Sequence, residues 1–104
     1  MTRGDKIKMK SEIIEKLEAY LREEVLQQPD REITADEALI SSGLIDSFSL
    51  VDVALFVEDN FDVHIDDTEL NADTFDTLNQ LADLIIDRLD RYPLPKFLER
   101  LKIA

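Results

Sequence analysis

Apolar residues between positions 11 and 90 recur at three- and four-residue steps in three separate stretches, and each stretch predicts a helix with one face turned to a core. In the first, Ile13, Ile14, Leu17, Tyr20, Leu21 and Val25 form a stripe opposite Glu12, Glu15, Lys16, Glu18, Arg22, Glu23 and Glu24. Ser11 is placed to cap this helix, and Pro29 ends it because proline disfavours helical geometry at the residue before it. The second helix is expected from about Ser47 to about Asn60, with Phe48, Val51, Ala54, Leu55 and Phe61 facing inward and Val53 and Val57 widening that face. Leu50 and Phe56 are surplus to it, so part of an unusually apolar helix is expected to meet something other than its own core. The third begins at a Thr74 cap and carries Phe75, Leu78, Leu81, Ala82, Ile85, Ile86 and Leu89.

The connections carry weaker patterns. Residues 29–46 hold sparse anchors, Ile33, Ala38, Leu39, Leu44 and Ile45, which favour an ordered, functional loop. Thr34-Ala35-Asp36-Glu37 resembles a capping box, and Asp66-Asp67-Thr68-Glu69-Leu70 reads as a cap followed by a short helical turn. No apolar alternation is long enough for a strand. The expected fold is all-α: a small bundle of three long helices plus one short helix, with a C-terminal extension. Residues 1–10 read as a flexible basic arm, 11–90 as the folded domain, and 91–104 as a basic amphipathic extension. Pro93 and Pro95 interrupt that extension before Phe97, Leu98 and Leu101, and it is expected to dock on the acidic body.

Composition narrows the function classes. The 104 residues suffice for one domain with a modest core. Cysteine is absent, so thiol chemistry requires an attached group. The net charge is −12, and residues 11–90 hold four basic against 22 acidic side chains, a balance of −18. Such a surface repels nucleic acid and attracts basic patches on protein partners. No apolar run approaches the ~20 residues needed to span a bilayer, and Met1–Lys6 is too polar for a signal peptide. A cytoplasmic monomer without stable membrane insertion is the expectation.

Candidate chemistry centres on Ser42-Gly43-Leu44-Ile45-Asp46-Ser47-Phe48. Asp46 is placed to cap the second helix, which sets Ser47 in its first turn with the side chain outward. An anion on that hydroxyl would lie at the positive end of the helix dipole. Gly43, Asp46, Ser47 and Phe48, continued by Val51, Asp52, Phe61, Asp62, Ile65 and Asp67, resemble the signature of the acyl carrier proteins and their aminoacyl and peptidyl relatives. The resemblance covers roughly residues 10–90. It implies that Ser47 carries 4′-phosphopantetheine from coenzyme A, with Asp46 and Phe48 beside it, and that the arm's thiol holds an acyl group as a thioester.

The resemblance further implies a carrier that is not itself an enzyme. Leu50, Val51, Asp52, Phe56, Glu58 and Asp59 would contact partners. These would be a phosphopantetheinyl transferase, an adenylate-forming ligase that loads an acyl or aminoacyl group, and synthases or acyltransferases of fatty-acid, lipid or secondary-metabolite biosynthesis. Ser49, Leu50 and Asn60 stand where a fatty-acid carrier would hold charges, a departure that favours the ligase-served, aminoacyl type.

Two other classes compete. An unmodified acidic interaction module accounts for the charge and the helices but not for a serine displayed behind Gly-Leu-Ile-Asp. A small serine acyl-transfer enzyme needs a base oriented by a third group, and the sole histidine, His64, sits in a turn without a Gly-x-Ser-x-Gly elbow near the serine. The carboxylates Asp62, Asp66, Asp67 and Glu69 lack the ligand spacing and central glycine of a calcium loop, so no metal site is expected.

Overall fold

The computed structural model describes residues 3–91, whose regular structure is three helices, α1 (Arg3–Tyr20), α2 (Ser47–Phe61) and α3 (Leu78–Arg91), with a π turn at Leu21–Val25 that continues α1 and a 3₁₀ turn at Asp67–Glu69. No strand occurs among the described residues. The expected all-α bundle of three long helices and one short one is what forms.

The first helix corrects the sequence reading at its start. It begins at Arg3, not Ser11, so most of the stretch expected as a flexible arm is helical. No proline or second glycine interrupts residues 5–20, and the added turns find partners: Met9 packs against the core and Lys10 Nζ lies 2.9 Å from Asp83 Oδ1 on α3. At its far end α1 widens into a π turn, Leu21–Val25, and closes through Gln27 in the left-handed region (φ 54°). The Gln28 N–H then donates to the Arg22 carbonyl at 2.7 Å, satisfying an orphan acceptor of the last turn, so the helix is closed before the chain reaches Pro29.

Two further boundaries follow from hydrogen bonds. Thr77, not Thr74, starts α3: Thr77 Oγ1 accepts the Gln80 N–H at 3.1 Å, while the Gln80 side chain accepts the Asp76 N–H at 2.7 Å. Thr74 instead closes a turn with Asn71, whose Oδ1 accepts its N–H at 3.0 Å. The Asp66–Leu70 turn forms as expected, with a full capping box between Asp66 and Glu69. Thr34–Glu37 makes the reciprocal half of such a box, Thr34 N–H to Glu37 Oε1.

The core joins Ile13, Leu17 and Leu21 of the first helix and its π turn to Leu50, Val53 and Val57 of α2 and Leu78, Leu81, Ala82 and Ile85 of α3. Ile33, Leu39 and Ile45 enter it from the long 26–46 connection, and Phe75 is buried at the approach to α3. At about 25 cal/mol per Å² of apolar area, these aliphatic side chains are the main source of stability. No polar or charged side chain is buried among the described residues. The expected docking of 91–104 falls outside the described residues, apart from the Arg91 backbone that ends α3.

Candidate functional site

The loop before α2 is held so that its last residues arrive in one conformation. The Ile45 N–H donates to the Leu39 carbonyl at 2.9 Å, the Gly43 N–H donates to the Ile40 carbonyl at 3.0 Å, and the Ile45 and Leu39 side chains lie in the core. Gly43 adopts φ 79°, where a side chain would be strained although space around it is open. The expected conformational role of this glycine therefore rests on its backbone angle alone.

Asp46 follows in extended geometry and caps α2: its Oδ1 accepts the Ser49 N–H at 2.8 Å, and its carbonyl accepts the Leu50 N–H at 3.1 Å. Donation from the Ser49 backbone, and then from its side chain, holds the Asp46 carboxyl below its ordinary pKa of 3.8. Ser47 is the first residue of α2 and is exposed. Its hydroxyl lies at the positive end of the helix dipole, where added phosphate is stabilised.

That outward serine fixes the rest of the helix, and it corrects the assigned inward face. Positions 51 and 55 lie four and eight residues beyond 47, so they turn out with it. Phe48 is 85% exposed, Leu55 54% and Val51 48%, whereas Leu50, Val53 and Val57 are buried. Leu50, expected to contact partners, is 3% exposed and belongs to the core. Phe56 is half-buried, stacked on Tyr20 with ring centroids 4.1 Å apart. Asp52 and Asp59 are exposed and share the outward face with Phe48, Val51 and Leu55. Glu58 is partly exposed and lies 3.5 Å from His64 Nδ1.

The remaining candidates are engaged elsewhere. His64 lies beyond the C-terminal end of α2, whose span from Ser47 to Phe61 is about 21 Å at 1.5 Å rise per residue, and cannot serve as the base of Ser47. Asp66 accepts the Thr68 N–H, and Glu69 forms a two-point ion pair with Arg88. No group of three or more potential metal ligands occurs among the described residues.

A domain profile described as the phosphopantetheine attachment site matches residues 15–85, more than half of the chain. The chain belongs to this carrier-protein family. The D-alanyl carrier protein of Bacillus subtilis (strain 168) is 31% identical over 80 residues, covering 72% of this chain and 95% of that protein. The D-alanyl carrier protein of Streptococcus sanguinis (strain SK36) is 28% identical over 75 residues, covering 72% of this chain and 87% of that protein. No solved structure matches. The carrier's cofactor is 4′-phosphopantetheine. An exposed serine hydroxyl at a capped helix start, with α2 rising away from it, fits attachment of such a group by its phosphate.

Proposed function

We propose that Ser47 Oγ carries the arm and that the carrier holds a small aminoacyl group, of the D-alanyl class, as a thioester. Attachment would form a phosphodiester at Ser47 Oγ as the phosphoanhydride bond of coenzyme A breaks, with adenosine 3′,5′-bisphosphate as the leaving group and the serine proton passing to the transferase's base. Asp46 keeps the helix start closed and the hydroxyl outward while this happens. An adenylate-forming ligase then supplies the activated carboxylic acid. The carrier contributes no catalytic residue; it presents the thiol and docks.

The observation that carries the reading is the exposed first-turn Ser47 beside the Asp46 cap. The aminoacyl assignment is supported by the two D-alanyl carriers, most of whose length this chain matches. The outward stripe Phe48, Val51 and Leu55 supports docking through apolar contact next to the arm, with Asp52 and Asp59 steering basic partner surfaces. A pocket of about 210 Å³ lies at the opposite end of α2 from Ser47, between Met9, Ile13, Phe61 and Leu89.

Intact-mass measurement after incubation with coenzyme A and a broad-specificity phosphopantetheinyl transferase tests the site. The carrier gains one arm and Ser47→Ala gains none; an unmodified wild type, or a modified Ala variant, overturns the assignment. Loading of the armed carrier with D-alanine by a D-alanine-activating ligase and ATP, set against fatty-acyl loading by an acyl ligase, tests the cargo. Preferential fatty-acyl loading overturns the aminoacyl assignment while leaving Ser47 in place.

A further inference from the structure

The segment that presents Ser47 is anchored to the start of α3 through a single residue. The Asp76 carboxylate accepts three hydrogen bonds from the loop: Ile40 N–H at 2.7 Å and Ser41 N–H at 2.9 Å to Oδ1, and the Ser41 hydroxyl at 2.5 Å to Oδ2. Its backbone carbonyl accepts a fourth, from Leu39 N–H at 2.7 Å. The Leu39 carbonyl in turn accepts the Ile45 N–H at 2.9 Å, and Asp46 and Ser47 follow directly. A continuous hydrogen-bonded path therefore runs from the Asp76 backbone carbonyl through Leu39 and Ile45 to the cap, and the Asp76 carboxylate clamps the two residues that follow Leu39. The second tie between this connection and α3, Asn79 to Asp36 and Ala35, attaches upstream and lies off that path.

We infer that Asp76 is a positioning residue for Ser47, an inference that rests on the reading of Ser47 as the attachment site. Ile40 and Ser41 begin the reversal that Gly43 completes, and their amides point at Asp76 rather than at one another. Donation from Ser41 also keeps the Asp76 carboxyl below its ordinary 3.8, so the acceptor is ionised at neutral pH and its bonds are charge-assisted. Without that carboxylate the reversal retains the Gly43–Ile40 bond and the Leu39 bond to the Asp76 backbone carbonyl, but loses the three side-chain bonds that fix Ile40 and Ser41 beside the start of α3. Ile45 then holds the cap through its buried side chain and one backbone bond to Leu39, in a loop that keeps one of its four bonds to Asp76. A transferase that must bring the Ser47 oxygen onto a phosphorus atom meets a hydroxyl whose position fluctuates, and misplacement of a reacting group by about 1 Å can slow transfer by up to about 100-fold.

The experiment measures kcat/KM for phosphopantetheinylation and hydrogen exchange of the Ile45 amide in the full chain, in Asp76→Ala, Asp76→Asn and Asp36→Ala. Asp76→Ala is expected to lower kcat/KM about ten-fold and to speed Ile45 exchange by a similar factor. Asp76→Asn keeps an acceptor for the two amides and restores most of both. Asp36→Ala cuts the off-path tie and leaves both near wild type. Equal effects of Asp76→Ala and Asp36→Ala, or a wild-type Ile45 exchange rate in folded Asp76→Ala, overturn the inference. Should Asp76→Ala fail to fold, Asp76→Ser replaces the carboxylate by a shorter, uncharged hydroxyl, and wild-type attachment and Ile45 exchange in it overturn the inference equally. A wild-type chain that accepts no arm defeats the Ser47 reading instead, while Ile45 exchange still reports on the path from Asp76.

Discussion

The Asp46 carboxylate accepts the Ser49 N–H at 2.8 Å, and the serine between them, Ser47, opens the helix with its side chain exposed. The cap and the display are one arrangement. Capping requires Asp46 to be extended, which turns the next residue into the first helical position on the outer side of the bundle.

This cap makes the helix start acid-sensitive. Asp46 is held below its ordinary 3.8 by Ser49, Asp66 below 3.8 by Thr68, and Glu69 below 4.5 by Arg88. A carboxyl whose folded-state pKa lies below its unfolded value stabilises the fold above the unfolded value and loses that contribution as pH falls through the folded one. The melting temperature is therefore expected to change little between about pH 7 and 5 on account of these groups, then to fall below about pH 4. Asp46→Asn should melt lower than wild type at pH 7, with the gap narrowing as pH falls below 3.8. A gap that stays constant down to pH 3 would show that the charge on Asp46 contributes nothing.

Neighbouring apolar residues on α2 should behave oppositely. Leu50→Ala deletes a core side chain and is expected to cost about 2–5 kcal/mol, and the arm should still attach at temperatures where the variant is folded. Phe48→Ala removes a ring that is already 85% exposed, so thermal stability should hardly change while ligase-catalysed loading falls several-fold. Calorimetry paired with loading rates separates the two, and a destabilised Phe48→Ala with normal loading would remove that ring from the docking face.

How far the chain could be read follows from the range of each interaction. Local signals were legible: the Asp46 cap, the Asp66–Glu69 box and the left-handed Gly43 all depend on residues within four positions of one another. The rotation of α2 is readable in principle, since an outward Ser47 carries positions 51 and 55 with it, but the apolar character of Phe48, Val51 and Leu55 points the other way. The helical stretch before Ser11 is tied to Asp83, 73 residues from Lys10, and Asp76 clamps a loop 35 residues upstream. Neither pairing leaves a spacing that one sequence reveals.

Gln27 marks a place where the natural residue is not the most stable one. It sits at φ 54° and is exposed, so its side chain gains no core contact in exchange for left-handed strain. Gln27→Gly relieves the strain at the cost of extra freedom in the unfolded chain, and is expected to raise stability by about 0.5–1 kcal/mol. Denaturant midpoints measured at constant slope check this, and a lower midpoint would contradict it.

Arg88 links two segments that the helices alone leave apart. Its Nη1 donates to the His64 carbonyl at 2.8 Å and to Glu69 Oε1 at 3.0 Å, and Nη2 pairs with Glu69 Oε2. The planar fork is what lets one side chain hold both the exit from α2 and the 3₁₀ turn. Arg88→Ala should cost about 2 kcal/mol, and Arg88→Lys should recover less than half of that, because a single ammonium cannot reproduce the two-point pairing. Full recovery by lysine would reduce the fork to a simple charge.

The outward face of α2 combines three apolar side chains with two carboxylates, and the two kinds of group should act on different steps. Asp52 and Asp59 are exposed, lie one and three residues from Val51 and Phe56 respectively, and stand in a segment with no basic side chain between residues 47 and 63. Charges of this kind speed encounter over distances up to the Debye length, about 10 Å at 0.1 M salt, and add little to a formed contact. Asp52→Lys combined with Asp59→Lys should therefore lower the second-order rate of loading several-fold at low ionic strength, with the difference shrinking as salt is raised toward 0.5 M. Phe48→Ala should slow loading by the same factor at every salt concentration, because burying a ring does not depend on screening. Stopped-flow loading rates across a salt series distinguish the two dependences. Salt-independent slowing by the charge reversals would place Asp52 and Asp59 in direct contact with the partner, and an unchanged rate would remove them from docking altogether.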